Sequence, residues 1–270
     1  MSDSLPDEID VSKPTAARMY DYLLDGRFNH ASDRAAVAQL LEIAPSTKEL
    51  ALNNRAFLRR VVEIIVRDYG IRQFVDHGSG LPTQDNVHQV AQRIDPDCRV
   101  VYIDNDPHVR AYSGLLLDEN PRVALIASDM TLTEQIFAHE DFRSRIDLRE
   151  PVAALFVSVA HCLTDEQGPF GMIRRTVDAL PAGSVVVVCQ LVSEDEKVRD
   201  GVTRLMQEGT GGRWGRVRTE AEVRAFFDID RLRIEEPGLR DVTYWRPDRE
   251  VFPRQRSDEW IEFGGLAVVR

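Results

Sequence analysis

Residues 72–106 read RQFVDHGSGLPTQDNVHQVAQRIDPDCRVVYIDND, and the order of residue types in that stretch decides the fold. Phe74 and Val75 are apolar and β-prone and lead into Asp76, His77, Gly78, Ser79 and Gly80. Glycine has no Cβ, so the backbone can turn sharply there and a ligand can lie against it. A helix is expected from about Thr83 to Ile94, because Val87, Val90, Ala91 and Ile94 recur at the spacing of one helix face. Residues 99–103 form a second apolar strand that ends at Asp104, with Asn105 beside it. An acid about 24 residues beyond the glycine turn is near the distance at which a carboxylate reaches a ribose hydroxyl in a Rossmann-type unit.

The ligand class follows from charge. A dinucleotide fingerprint has a third glycine, and Thr83 stands in its place. Asp76 lies two residues before the first glycine, where a carboxylate repels a pyrophosphate and attracts a cation. S-adenosylmethionine carries an ammonium and a sulfonium, so acid-x-Gly-x-Gly with a strand-end acid fits it better than a nicotinamide dinucleotide. The plainer reading of Asp76 is a helix N-terminal acid, and of Asp104 and Asp106 turn chemistry. Asp106-Pro107 reads as an N-cap followed by the first helical residue, which leaves Asp104 as the better ribose ligand.

The totals narrow the function classes. The chain of 270 residues allows one large α/β domain with an added segment. A net charge of −11 leaves no basic footprint, so nucleic-acid binding is disfavoured and a small-molecule acceptor or a basic protein is easier to accommodate, the small molecule being the acceptor expected. Cys98, Cys162 and Cys189 are far apart and odd in number, which reads as free thiols in a reducing compartment. The acidic N-terminus MSDSLPDEID has no apolar core, and the longest apolar run, residues 152–160, is too short to span a bilayer. A cytoplasmic protein with no membrane partner is expected.

Along the chain, residues 1–13 read as a disordered tail, 14–70 as a helical N-terminal cap and 71–270 as the Rossmann-like domain. The cap is expected to hold helices over 15–24, from Ser32 to Pro45, and from a capping box at Ser46-x-x-Glu49 to about Tyr69. Tyr20, Tyr22, Arg27, Phe28, Asn29, His30 and Asp33 cluster around Gly26. They read either as a group closing over the ligand or as core tyrosines with helix caps. His30 and Asp33 lack a third ligand, so no metal is expected.

Beyond Asp106, a helix is expected to about Asp118 and a third strand over 122–127. That strand ends at Ser128-Asp129-Met130, where Asp129 is placed to accept from an adenine amino group and Met130 to pack on the ring. The plainer reading of Asp129 is a loop acid near a helix N-terminus. Thr131-x-x-Glu134 and Thr219-x-x-Glu222 read as capping boxes. PVAALFVSV (151–159) has the continuous apolarity of a central parallel strand. It delivers His161 to the carboxyl edge, where open α/β sheets bind ligands. His161 is the leading titratable candidate, as a base or as an orienting group, with Tyr20 or Tyr22 assisting. GTGGRWGR (209–216) lacks the Lys-Ser/Thr of a phosphate loop and reads as a flexible surface loop or a lid. Residues 231–235 and 266–269 are expected to pair antiparallel at the sheet edge. Tyr244 and Trp245 read as pocket wall or as core.

The stretches ARMYDYLLDGRFNHASDR, NNRAFLRRVV, IRQFVDHGSGLPTQDNVHQVAQ, RVVYIDNDPHV, ALFVSVAHCLTD and WRPD resemble a bacterial S-adenosylmethionine-dependent methyltransferase family of largely unknown substrate. The resemblance implies a class I fold, a seven-stranded sheet with one antiparallel strand. It implies a cofactor site at Asp76, Gly78, Gly80, Asp104 and Asp129, with the Tyr20 segment nearby. The family's small-residue ending of Gly-Val-Gly type is replaced here by Phe263-Gly264-Gly265-Leu266-Ala267. The resemblance supplies no acceptor. A non-catalytic sensor of S-adenosylmethionine or S-adenosylhomocysteine is the alternative from a different class, and a nicotinamide oxidoreductase a third.

Overall fold

Largely apolar runs build the centre of the molecule. Val185–Val192 (β5) is buried at every position, and Ala153–Val157 (β4) at nearly every one. Strands of this kind are covered on both faces. The structure is a computed structural model that describes residues 10–82, 85–117, 120–212, 214–248 and 256–270.

Gln73–His77 (β1), Arg99–Asp104 (β2) and Val123–Ala127 (β3) complete the parallel half of the sheet. The remaining strands are Leu232–Ile234 (β6), the short Arg240–Asp241 (β7) and Ile261–Val269 (β8). The order is β3-β2-β1-β4-β5-β8-β6, with β7 also paired to β8. Among the described strands β8 alone runs against the others. This is the class I methyltransferase sheet that the resemblance implies. β8 starts earlier than expected and lies inside the sheet, between β5 and β6. Gly264 makes this possible: a Cβ there would fall into the backbone of Val188 and Cys189 on β5.

Three helices precede the sheet: Ala16–Leu23 (α1), Ala31–Ile43 (α2) and Thr47–Asp68 (α3). Phe57, Val61, Ile65 and their neighbours on α3 pack against one sheet face with Phe74, Val100, Leu155 and Val187. Val87–Ile94 (α4) follows β1, Pro107–Leu117 (α5) follows β2, and Thr133–Ala138 (α6) and Glu140–Arg145 (α7) follow β3. Pro169–Ala179 (α8), Glu196–Thr210 (α9) and Glu220–Arg224 (α10) complete the helices. α1, α2, the start of α3 and α9 share a separate apolar cluster with Leu191, Trp214 and Trp260.

Several local expectations change. α4 begins at Val87, capped by Asn86 and Gln89, whereas the expected start, Thr83, and the expected α5 end, Asp118, lie outside the described residues. Ser46 makes no capping bond to α3 because its hydroxyl is given to Glu259, across the chain. Thr131 likewise donates to Asp129 rather than capping α6. Thr219 and Glu222 do form the reciprocal box. Residues 1–9, most of the tail expected to be disordered, lie outside the described residues. Among the described residues no helix is long and apolar enough to cross a membrane.

Candidate active site

The carboxyl ends of β1 and β2 meet through their backbones. Gly78 N and Ser79 N both donate to Ile103 O, at 2.8 and 3.3 Å. Gly80 N donates to Asp104 Oδ2 at 2.8 Å, and Asp104 Oδ1 accepts from Asp106 N at 2.9 Å. Gly78 has φ +69°, and a Cβ on it would strike the Val159 side chain. Only glycine satisfies both conditions.

This turn forms one side of a cavity of about 880 Å³ beneath α1, α3 and α9. Its lining brings together Tyr20, Asp76, Gly78, Ser79, Gly80, Asp104, Asn105, Met130 and His161. Two expected site residues lie elsewhere. Tyr22 is 38% exposed on the outer face of α1, because residues two apart on a helix point in different directions. It is therefore removed from the catalytic set. Asp129 is not part of the lining, and its Oδ1 accepts from Thr131 N and Oγ1, each at 2.8 Å. Oδ1 thus holds the turn after β3, and Met130 is the residue of that turn that lines the cavity.

Asp76 is buried, and burial, opposed by Arg55 and reinforced by Asp104, pushes its carboxyl up to about 7. Burial also raises Asp104, although the Asp106 and Gly80 amides work in the other direction. Two carboxyls facing one cavity, one buried and one half-buried, bind a cation well and a pyrophosphate badly. Arg55, from α3, lines the same end and donates to Asn86 Oδ1 at 3.2 Å. Sequence reading overlooked it, although it stands in NNRAFLRRVV on the helix that covers the strands.

His161 differs from the expectation of a base. It is buried in a 3₁₀ turn after β4, and its Nδ1 accepts from Leu191 N at 3.3 Å. That bond assigns the ring proton to Nε2. Burial, with the Arg218 charge, pushes its pKa down to about 3, so the ring stays neutral. Tyr20 OH donates to Ala51 O at 3.2 Å and accepts from Asn54 Nδ2 at 3.0 Å, and burial pushes it up to about 12.

Thr210, Gly212 and Trp214, from the segment read as a surface loop or lid, line the cavity. Trp214 is 3% exposed and packs against His161 with ring centroids 5.6 Å apart. Gly215 fits directly against the carbonyls of His161 and Leu163. Trp245 is fully buried against Phe57 and Tyr244 is exposed, and neither reaches the cavity. Trp260 and Glu262 do line it. The signal for Glu262 was available, a lone acid in the apolar run IEFGGLAVV.

Asp21 and Asp33 of the cap cluster make structural bonds. Asp33 caps α2, accepting from His30 N at 2.8 Å, and pairs with Arg18 Nε at 2.8 Å where both side chains are fully buried. Asp21 accepts from Phe28 N and Asn29 Nδ2 around the Gly26 turn. Among the described residues no group of three or more His, Cys, Asp or Glu side chains could hold a metal. The three cysteines are free.

A family model described as S-adenosyl methyltransferase matches residues 2–270. The chain is 35% identical to a provisionally assigned methyltransferase from Thermobifida fusca YX, over all of both chains, with a TM-score of 0.86. It is 31% identical to a DUF574 family protein from Streptomyces avermitilis MA-4680, covering 97% of this chain and 100% of that one, again at 0.86. The trans-methyltransferase CalH, in complex with S-adenosylhomocysteine, shares the fold at 16% identity and a TM-score of 0.50, covering 83% of this chain and 59% of that one. No curated protein matches the chain.

Proposed function

The chain belongs to the S-adenosyl methyltransferase family, and from that premise we propose that it transfers the methyl group of S-adenosylmethionine to an oxygen or nitrogen of a small-molecule acceptor held in the cavity beneath the helical cap. That it is an S-adenosylmethionine-dependent methyltransferase follows from the family. The acceptor class and the residue roles are our reading. The observation that carries them is the pair of carboxyls, Asp76 buried and Asp104 half-buried, at opposite sides of the glycine turn in one cavity.

The residues fit the cofactor. Asp76 takes the ammonium, and Arg55, on the same wall, takes the carboxylate of the same amino-acid group. Asp104 receives a ribose hydroxyl while still holding Gly80, and Asn105 lies at its side. Gly78, Ser79 and Gly80 let the backbone approach, and Met130 covers the adenine end. Tyr20, held by Ala51 and Asn54, closes the cavity from the cap. Bound there, S-adenosylmethionine supplies an electrophilic methyl group on a sulfonium. The chain's own contribution is alignment in a water-poor pocket, since in-line transfer depends chiefly on proximity and orientation. His161 supplies a neutral Nε2–H that can orient an acceptor.

A macromolecular acceptor is disfavoured by the helices that roof the cavity, and nucleic acid by the net charge of −11. Calorimetric titration with S-adenosylmethionine, S-adenosylhomocysteine and NADH tests the reading. The first two should bind in the micromolar range and NADH should not. Preference for NADH would overturn the assignment of Asp76 and Asp104.

A further inference from the structure

The cavity has two ends of different chemistry. The carboxyls and the glycine turn mark one. The other is apolar, walled by Met19, Leu50, Leu191, Met206, Trp214 and Trp260. Glu262 lies in the wall of this end, 2% exposed. Its Oε1 accepts a short hydrogen bond from Ser158 Oγ, the Cys189 thiol lies beside the carboxyl, and no nitrogen or oxygen partner meets its Oε2. Trp260, two residues earlier, has an unpartnered Nε1 as well. Both residues line the cavity. Buried polar atoms are ordinarily satisfied, so two orphans in one wall of a cavity indicate a ligand that pairs with both.

The position of Ser158 ties this end to the cofactor end. It follows β4, the neighbour of β1, and has φ 56°. A left-handed backbone at a residue with a Cβ is strained and collects at functional sites. The next residue, Val159, fills the space that a Gly78 Cβ would need. The Glu262 carboxyl is thus fastened at the boundary between the two ends.

We propose that the apolar end binds an acceptor with a flat, apolar ring that carries a hydroxyl group, and that Glu262 is the catalytic residue that removes the hydroxyl proton as the oxygen is methylated. This rests on the methyltransferase reading given above. A hydroxyl donates one hydrogen bond and accepts others, which matches a carboxylate oxygen and an indole N–H together. An ammonium acceptor offers donors only and would set a second cation beside the sulfonium. Tryptophan faces and methionine side chains suit a planar ring. A cavity of about 880 Å³ stands at the upper end for a single ligand, as room for two molecules requires.

The step balances. The acceptor oxygen forms its bond to the methyl carbon as the carbon–sulfur bond breaks. The electron pair of that bond stays on sulfur, which becomes a neutral thioether. The hydroxyl proton passes to Glu262 Oε2, leaving a neutral ether. Burial pushes the Glu262 carboxyl up to about 8, against the Ser158 and Cys189 bonds and with Asp241 adding to the rise. Cys189 on β5, and the Tyr20 and Cys162 side chains that feel its charge, are the other titratable groups around it. A carboxylate of that basicity takes a proton near neutral pH far better than an ordinary one.

The test uses the full chain saturated with S-adenosylhomocysteine. Phenol, 2-naphthol and 2-hydroxyanthracene are titrated beside their methyl ethers and their amine counterparts. At least one hydroxyarene should bind about tenfold or more above its ether and amine, and Glu262→Gln should abolish that preference while leaving S-adenosylhomocysteine affinity within about threefold. Label from methyl-labelled S-adenosylmethionine should pass to the hydroxyl compound and fall by about 10²–10⁴ in Glu262→Gln. Ser158 is a positioning residue, and Ser158→Ala should move the acid limb of the pH–rate profile to higher pH. Equal binding of hydroxyl, ether and amine forms, an unchanged Glu262→Gln, or label passing to the amines would overturn the proposal and leave the methyltransferase reading intact. Failure of S-adenosylhomocysteine to bind the wild type would overturn both.

Discussion

Asp104 Oδ2 accepts the Gly80 amide at 2.8 Å, so the tip of β2 is fastened to the turn that follows β1. The same carboxylate that would receive a ribose hydroxyl therefore sets the shape of the surface on which the cofactor lies. Asp104→Ala removes both functions. Losing a hydrogen bond to a buried charged group is worth about 1–3 kcal/mol, or roughly 5- to 150-fold in affinity. Calorimetry should show S-adenosylmethionine binding weakened by that amount. Undiminished binding would remove Asp104 from the site.

The second prediction concerns pH. Asp76 has an ordinary value of 3.8 and stands at about 7 in the folded protein. Below 7 it is protonated and offers no charge to an ammonium, so affinity for S-adenosylhomocysteine should fall about tenfold per unit as pH drops from 7 to 5. Stability moves the opposite way. Between 3.8 and 7 the folded state holds a proton that the unfolded state has lost, so this group's contribution falls as pH rises. His77 and His161, lowered to about 4 and about 3, oppose it, because there the unfolded chain binds the extra proton. The difference in melting temperature between wild type and Asp76→Asn isolates the carboxyl. It should widen in favour of Asp76→Asn from pH 5 to pH 8, and a constant difference would contradict the assignment.

How much of this was readable in advance depends on how local each signal is. Gly78, Gly80 and Asp104 carry their roles in a strand–turn–strand pattern, and the cavity gathers them as that pattern implies. Arg55, Ser158 and Glu262 come from α3, the end of β4 and β8, and only the sheet order makes them neighbours. Capping boxes show the same limit. Thr219 and Glu222 satisfy each other, but Ser46 spends its hydroxyl on Glu259, a partner invisible to any short window. Trp214 was hidden by the glycines around it. Those glycines read as a loose loop, whereas Gly215 is required by close approach to the backbone carbonyls of His161 and Leu163. The Tyr20–Tyr22 pair shows that helix phase, rather than residue type, decides which aromatic faces the cavity.

Gly78→Ala should be more damaging than a one-carbon change implies. The residue needs φ +69°, and the new Cβ would overlap Val159. Strain and steric overlap together should cost about 2–4 kcal/mol. Gly80, also at positive φ, has open space around it, so Gly80→Ala should cost only about 1 kcal/mol. Urea denaturation of the two variants checks the order, and a Gly80→Ala loss equal to that of Gly78→Ala would refute the role given to Val159.

Arg18 and Asp33 make the last test, of how the cap is held over the site. Their ion pair is fully buried, and Arg18 Nη1 also donates to His108 Nε2 at 2.7 Å, while His108 Nδ1 bonds Asp106 Oδ1 at 3.1 Å. α1 is thereby linked through His108 to the residues that follow Asp104. Burial and the Arg18 charge lower the His108 pKa, which keeps the ring neutral and able to accept from Arg18. Breaking a buried pair costs about 3–5 kcal/mol because one charge is left behind. The two single variants should not be equal. In Arg18→Ala the Asp33 carboxylate keeps the Thr15 and His30 amides, at 3.1 and 2.8 Å. In Asp33→Ala the guanidinium loses its paired anion and α2 loses its cap. Asp33→Ala should therefore be the more destabilising in urea, and both should weaken S-adenosylhomocysteine binding although neither residue is assigned a contact with it. If Arg18→Ala lowered stability but left binding unchanged, the link through His108 would hold the fold together without shaping the site.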